Sequence, residues 1–296
     1  MEEIIYTEKP NLNKPYLVIG FEGWPNAGEV SSYALQHLID SLKAKRFASI
    51  PTEKFYQFSS SRPMAVIKEG RLIELKSPDN HFYYVKAPFF NDLILFYGVE
   101  PHLRWDLFTD LLLDLAEIFN VVQIFTIGGT YDYIPHTCPP LVSALFNHEG
   151  LREKLIQAEL GLTEYSGPIS IHTFILEAAK KRDLKAVSLW GHVPQYLQTK
   201  NIKVACSVLK RLIELTKIEV DLSELENAGD YFDQKVKHLV EEYPKLQEVI
   251  SKLEEAYKGS EKISHPSKME GDPKEEKVVY IQAFLKKSED EEKKEG

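Results

Sequence analysis

The sequence predicts an α/β fold with a mostly parallel central sheet and helices on both of its faces. Short continuous apolar runs recur along the chain, as strands buried on both faces require. Between them lie stretches with apolar residues at helical spacing. The two kinds of segment alternate, which is the pattern of consecutive strand–helix units.

Tyr16–Phe21 (YLVIGF) is the first buried-strand run, and Glu22–Asn26 follows as a loop. A helix is expected from Ala27 to about Ala44, with Asn26 at the N-cap and Glu29 three residues on. Leu35, Leu38, Ile39 and Leu42 form its apolar stripe. A β-rich stretch comes next. Phe55–Phe58 reads as strand. Ala65–Ile67 and Leu72–Leu75 flank Lys68-Glu69-Gly70-Arg71, a hairpin turn. His81–Lys86 is aromatic and strand-prone, and Leu93–Tyr97 is a second buried strand.

A helix is predicted from about Arg104 to Phe119, on the apolar positions 107, 108, 111, 112, 115 and 118. Val121–Ile127 is the next strand, closed by Gly128-Gly129. Ile171–Lys181 reads as helix, Ala186–Trp190 as strand and Val204–Leu215 as helix. Residues 1–217 are therefore expected to form the α/β core domain. The character changes after Lys217. Tyr231–Tyr257 carries Val236, Leu239, Val240, Leu246, Val249, Ile250 and Leu253 at helical spacing among Glu and Lys. Pro244 breaks this stretch into two helices or sits in a first turn. Residues 218–257 are expected to be a helical extension, packed on the core or on a neighbouring subunit. Residues 258–296 read as a polar linker and charged tail with an apolar island at 278–285.

The chain has 296 residues, 43% hydrophobic and 27% charged, enough for a full core. Its net charge of −9 argues against a nucleic-acid surface, which needs clustered Lys and Arg in excess. Two cysteines, Cys138 and Cys206, give neither a disulfide framework nor a Cys-x-x-Cys zinc pattern, and imply a reducing, cytoplasmic setting. Met1–Ile5 has no basic n-region or apolar h-region, so no signal peptide is expected. No apolar run reaches the roughly 20 residues that span a bilayer.

Several constellations invite a functional reading. Beyond the strand ends, where open α/β sheets bind ligands, lie Glu22, Asn26, Glu100, Arg104, Thr130 and His136. They would line one cleft, and an enzyme acting on a nucleoside or another small metabolite there is the alternative function. The plain readings are that Asn26 caps its helix, that Glu100 pairs with Arg104 and that Gly128-Gly129 makes a turn. No Gly-x-Gly-x-x-Gly or Walker pattern is present, so no cofactor is expected. His136, Cys138, His148, His172 and His192 lack metal-ligand spacing, so no metal site is expected. A Ser-His-Asp hydrolase reading lacks a Gly-x-Ser-x-Gly elbow, and no catalytic residue is assigned. The tail island differs: Val278, Val279, Tyr280, Ile281, Phe284 and Leu285 are apolar between charged segments. It either binds a partner, as an added strand or short helix, or folds back on its own domain.

Several segments together resemble the proteasome-assembly-chaperone 2 (PAC2) family: Gly20-Phe21-Glu22-Gly23-Trp24-Pro25-Asn26-Ala27-Gly28-Glu29, Gly98-Val99-Glu100-Pro101-His102-Leu103-Arg104-Trp105, Pro135-His136-Thr137-Cys138-Pro139, Tyr165-Ser166-Gly167-Pro168 and Ser188-Leu189-Trp190-Gly191-His192-Val193-Pro194-Gln195-Tyr196. They stand in the family's order over roughly residues 15 to 215. The resemblance implies a three-layer α/β/α, phosphorylase/hydrolase-like core. It also implies a homo-oligomer that helps protein complexes assemble without ATP. The partners it implies are proteins, such as proteasome subunits or a paralogous chaperone, with neither nucleic acid nor membrane. Val279-Tyr280-Ile281 looks like the hydrophobic–Tyr–any tripeptide with which some relatives enter pockets between proteasome subunits. In those relatives the free terminal carboxylate takes part, whereas here the tripeptide precedes Gly296.

Overall fold

A computed structural model describes residues 4–59, 62–87 and 91–260. In chain order the elements are β1 (Ile5–Tyr6), β2 (Tyr16–Glu22), α1 (Val30–Ser41), β3 (Lys45–Ser49), β4 (Met64–Lys68), β5 (Arg71–Lys76), β6 (His81–Val85), β7 (Leu93–Val99), α2 (Trp105–Ile118), β8 (Gln123–Asp132), β9 (Val142–Phe146), α3 (Arg152–Gln157), β10 (Gly161–Leu162), α4 (Ile171–Lys181), β11 (Ala186–Pro194), α5 (Ile202–Thr216), α6 (Ser223–Glu242) and α7 (Pro244–Ser260). A nine-stranded sheet has the order β1-β3-β6-β7-β2-β8-β11-β9-β10. Its centre, β7-β2-β8-β11, is parallel. Antiparallel pairs flank that centre on both sides.

The apolar runs are continuous because each central strand feeds two cores, one on each face. Leu17, Ile19 and Phe21 of β2 point into a core closed by α2 and α4. Val18 points the other way, into a core closed by α1 and α5. The same period-2 division recurs in β7, with Ile94 and Phe96 on one side and Leu93 and Leu95 on the other. The result is the three-layer α/β/α arrangement.

β4 and β5 lie outside this sheet as a separate two-stranded hairpin. Glu69 (φ 51°) and Gly70 (φ 77°) supply the two positive-φ positions of a two-residue primed turn, where Lys68-Glu69-Gly70-Arg71 predicts one.

Four local expectations need correction. The first helix begins as a 3-10 turn over Ala27–Glu29, and regular α-helix starts only at Val30. Glu29 takes a left-handed conformation (φ 54°) that separates the two. Phe55–Phe58 forms turns instead of a strand. Phe55 and Tyr56 are spent on burial at the end of β7, where Tyr56 Oη lies 2.6 Å from Val99 O. Gly128 and Gly129 do not close β8, which continues to Asp132, because the partner strand β11 itself runs on to Pro194. β3 and β9 are strands that the apolar pattern does not announce. β3 opens on the exposed Lys45 and Arg46, and β9 follows a proline-rich loop.

α6 packs along α5, and α7 turns back at Pro244. Tyr243 is extended (φ −121°, ψ 93°), as a residue before proline must be. A small separate cluster joins this helical pair to the sheet: Tyr196 and Leu197 after β11, Val236 of α6, and Leu246 and Ile250 of α7. No helix among the described residues is long and apolar enough to cross a membrane.

Candidate functional site

The sequence-predicted cleft residues Glu22, Asn26, Glu100, Thr130 and His136 separate into three neighbourhoods. Glu22 ends β2 and Glu100 follows β7, and the Glu100 N–H donates to Glu22 O at 2.9 Å. Gly23 turns the chain out of β2 with φ 104°, a conformation that favours glycine. Tyr97 donates its hydroxyl to Glu22 Oε1 at 2.5 Å. Glu100 does not pair with Arg104. Its Oε1 accepts the Ile171 N–H of α4 at 3.0 Å. Burial raises the Glu100 carboxyl above its usual range, and backbone hydrogen bonds from Ile171 and Trp24 oppose that rise. Arg104 is exposed and left-handed (φ 55°) at the start of α2.

Asn26 serves the helix start. Its Oδ1 accepts the Ser32 N–H at 3.0 Å, and its Nδ2 donates to Ser32 Oγ at 2.9 Å. The side chain thus caps α1 from beyond the 3-10 turn. The Asn26 backbone bridges to Gly129 of β8. A Cβ at Gly129 would stand 2.3 Å from Ala27 O, so glycine is needed for this close approach. Thr130 follows, in register with His192 of β11.

His136 lies elsewhere, under α6 and α7. Its backbone N–H donates to Tyr196 Oη, and the Tyr196 hydroxyl is 2.7 Å from His136 Nδ1. Burial pulls its pKa below the ordinary value, with Lys203 adding to the fall and Asp233 and Glu254 opposing it. Lys203 and Asp233 pair at 2.5 Å between α5 and α6. Thr137 Oγ1 donates to Glu254 Oε1 of α7 at 2.6 Å. The cavity enclosed by His136, Cys138, His192, Leu197 and Asp233 has a volume of about 20 Å³. That is room for a water-sized group, far short of a nucleoside. Glu22 and Glu100 therefore come together, Asn26 and Thr130 stand by Gly129, and His136 is apart from all four.

Sequence reasoning passed over three features. His192 bridges Asp132 and Ser143, a contact that only the strand order reveals. Trp24 and Tyr165 stand exposed on the loops after β2 and β10. The third is the surface of the β4–β5 hairpin, where Met64 (70%), Ile67 (64%) and Leu75 (61%) stand in solvent with Leu72 and Ile73. Nothing in Met64–Lys68 or Arg71–Lys76 sets them apart from strands of the main sheet, so their exposure was not legible in the sequence. The tail residues Val278, Val279, Tyr280, Ile281, Phe284 and Leu285 lie outside the described residues.

The model of the PAC2 family matches residues 20–240, most of the chain. A PAC2 family protein from Streptomyces avermitilis is 30% identical, covers 80% of this chain and 99% of its own, and superposes with a TM-score of 0.72. A proteasome-assembly chaperone homologue from Mycobacterium tuberculosis is 29% identical over 79% of this chain and 99% of its own, with a TM-score of 0.73. PbaB from Pyrococcus furiosus, an archaeal proteasome activator, shares the fold at 24% identity, covering 81% of this chain and 99% of its own with a TM-score of 0.65. The chain belongs to the PAC2 family.

Proposed function

We propose that this PAC2 family member is an ATP-independent assembly chaperone or scaffold that binds other proteins as a homo-oligomer in the cytoplasm. The β4–β5 hairpin carries the reading. A lone two-stranded ribbon is marginal in water, and apolar side chains on a soluble surface at this density mark a protein interface. Among the described residues neither strand pairs along its outer edge, which suits strand addition, and the hairpin's Lys68, Glu69, Arg71 and Glu74 give charges of both signs beside those edges. A second copy of this chain pairing edge to edge would complete a four-stranded sheet.

The relatives support the kind of partner. One is a proteasome-assembly chaperone homologue and another an archaeal proteasome activator. Proteasome subunits or a paralogous chaperone are the partners this reading assigns, with the 278–285 island as a second contact. The split between Glu22 and Glu100 on one side and His136 on the other, with a cavity of only about 20 Å³ beside His136, favours this reading over an enzyme acting on a nucleoside across that cleft.

Light scattering of the purified chain tests the first part. The native protein should run as an oligomer of the 34.0 kDa chain, and Ile67→Lys with Leu75→Lys should shift it toward monomer without changing its melting temperature. A native monomer removes the homo-oligomer reading. Co-expression with proteasome subunits tests the second part. Partner recovery should fall on hairpin substitution and on deletion of residues 278–296; unchanged recovery in both would exclude these two surfaces.

A further inference from the structure

Three polar side chains on adjacent strands stand in line at the carboxyl end of the sheet. His192 Nδ1 is 2.8 Å from Asp132 Oδ2, and His192 Nε2 is 2.8 Å from Ser143 Oγ. A single tautomer satisfies both contacts: Nδ1–H donates to the carboxylate, and Nε2 accepts the serine proton. This is the order of groups that activates a serine hydroxyl, recognised by geometry and not by chain order.

The strand register explains the alignment. β8 and β11 are parallel, with Thr130 opposite His192 and Asp132 opposite Pro194. Asp132 is therefore the diagonal same-face neighbour of His192. β9 runs antiparallel to β11, with Ser143 opposite Trp190, and the His192 N–H donates to Leu141 O at 3.0 Å. Ser143 is thus the diagonal neighbour on the other side. All three sit on paired strands, the most rigid support the fold offers. Thr163 donates its hydroxyl to Ser143 Oγ at 3.2 Å, holding it in place beside His192.

We propose that Ser143, His192 and Asp132 form a nucleophilic relay that hydrolyses short-chain acyl esters. Ser143 Oγ attacks the ester carbonyl while its proton passes to His192 Nε2. The tetrahedral adduct collapses, and the departing alkoxide takes that proton and leaves as an alcohol. Water then gives a proton to His192 and attacks the acyl-Ser143 ester. Collapse releases the carboxylic acid and returns the proton to Ser143. Asp132 holds the imidazole in the tautomer this needs and stabilises its charged form. Access sets the substrate class. Ser143 keeps 7% of its surface and the His192 side chain 15%, so a carbonyl that reaches Ser143 Oγ must be carried on a slim acyl group such as acetyl. His192 also lines the small cavity beside His136 and Pro139, which has room for the water that deacylation needs.

The assignment is independent of the protein-binding function and is tested on the full chain. Incubation with methanesulfonyl fluoride, whose methyl group matches the acetyl-sized access, followed by peptide mass mapping, should place one sulfonyl adduct on Ser143. Hydrolysis of p-nitrophenyl acetate should exceed that of p-nitrophenyl octanoate, and should fall on the order of 100-fold or more in Ser143→Ala and His192→Gln. Melting curves of the variants establish that they are folded. Wild-type protein without a Ser143 adduct overturns the proposal whether or not the variants fold. So does an acetate rate equal to that of a folded Ser143→Ala chain.

Discussion

Acidification should destabilise this protein through His172, by an amount the structure allows to be worked out. The ring is fully buried on α4 between Phe21 and Trp190, with centroids 5.6 and 5.2 Å away. Neither ring nitrogen has a hydrogen-bond partner among the described residues. Burial pushes its pKa from the ordinary 6.5 down to about 3. The unfolded chain regains the ordinary value, so between these limits it binds more protons than the folded one. Stability is then complete above about pH 6.5 and is lost as the pH falls toward 3. At about 1.36 kcal/mol per pKa unit, moving from pH 7.5 to pH 5 costs roughly 2 kcal/mol. Urea unfolding of wild type and His172→Leu at both pH values measures it. The variant lacks the titrating ring, so the stability difference should shift in its favour by roughly 2 kcal/mol at pH 5. Burial lowers the pKa of His136 and His81 as well, but these titrate in both proteins and cancel. Parallel pH dependences of the two chains would refute the reasoning.

Four further outcomes follow from single contacts. Gly129→Ala sets a Cβ against Ala27 O, which backbone alone supplies and cannot rotate away, so unfolding in urea should show a loss of about 3 kcal/mol. Gly128→Ala meets the edge of the Trp190 ring instead and should cost less, since a side chain can shift. Asn26→Ala removes the acceptor for the Ser32 N–H and should lower stability by about 1 kcal/mol, read as a lower melting temperature. Glu100→Gln should raise stability at pH 7.5 and lose that advantage near pH 4. The folded carboxyl has a raised pKa, so its ionised form is the one burial penalises, and the penalty vanishes on protonation. A variant no more stable than wild type at pH 7.5 would contradict it.

The central layers were legible because burial on both faces leaves an unbroken apolar run. Tyr16–Phe21 and Leu93–Tyr97 both sit in parallel strands of the sheet's centre. The hairpin was legible from Glu69-Gly70, whose turn chemistry is local. Strand ends were not. Gly128-Gly129 suggests a stop, yet β8 runs on beside β11, and glycine stands at 129 because the Asn26 bridge demands closeness that no neighbouring residue announces. The line through Asp132, His192 and Ser143 was hidden for a different reason. His192 lies 60 residues from Asp132 and 49 from Ser143, and their meeting depends on β11 lying between β8 and β9. Strand order is a property of the whole sheet. Glu22, Glu100 and Thr130 lie at or just past strand ends, and which of those ends adjoin is set by that same order.

The small cluster beneath α6 and α7 bears on how the chain is made. Both large cores draw almost all their residues from before Ser223, with Leu225 the exception among their buried members. A nascent chain can therefore close its sheet and both helical layers while the last two helices are still in the ribosome. Those helices then dock onto a finished surface, through Val236, Leu246 and Ile250 against Tyr196 and Leu197. Such a late, shallow docking can reverse without unfolding the rest. Amide exchange should report it as one cooperative opening of α6 and α7, well below the energy of global unfolding, with β2 and β8 still protected.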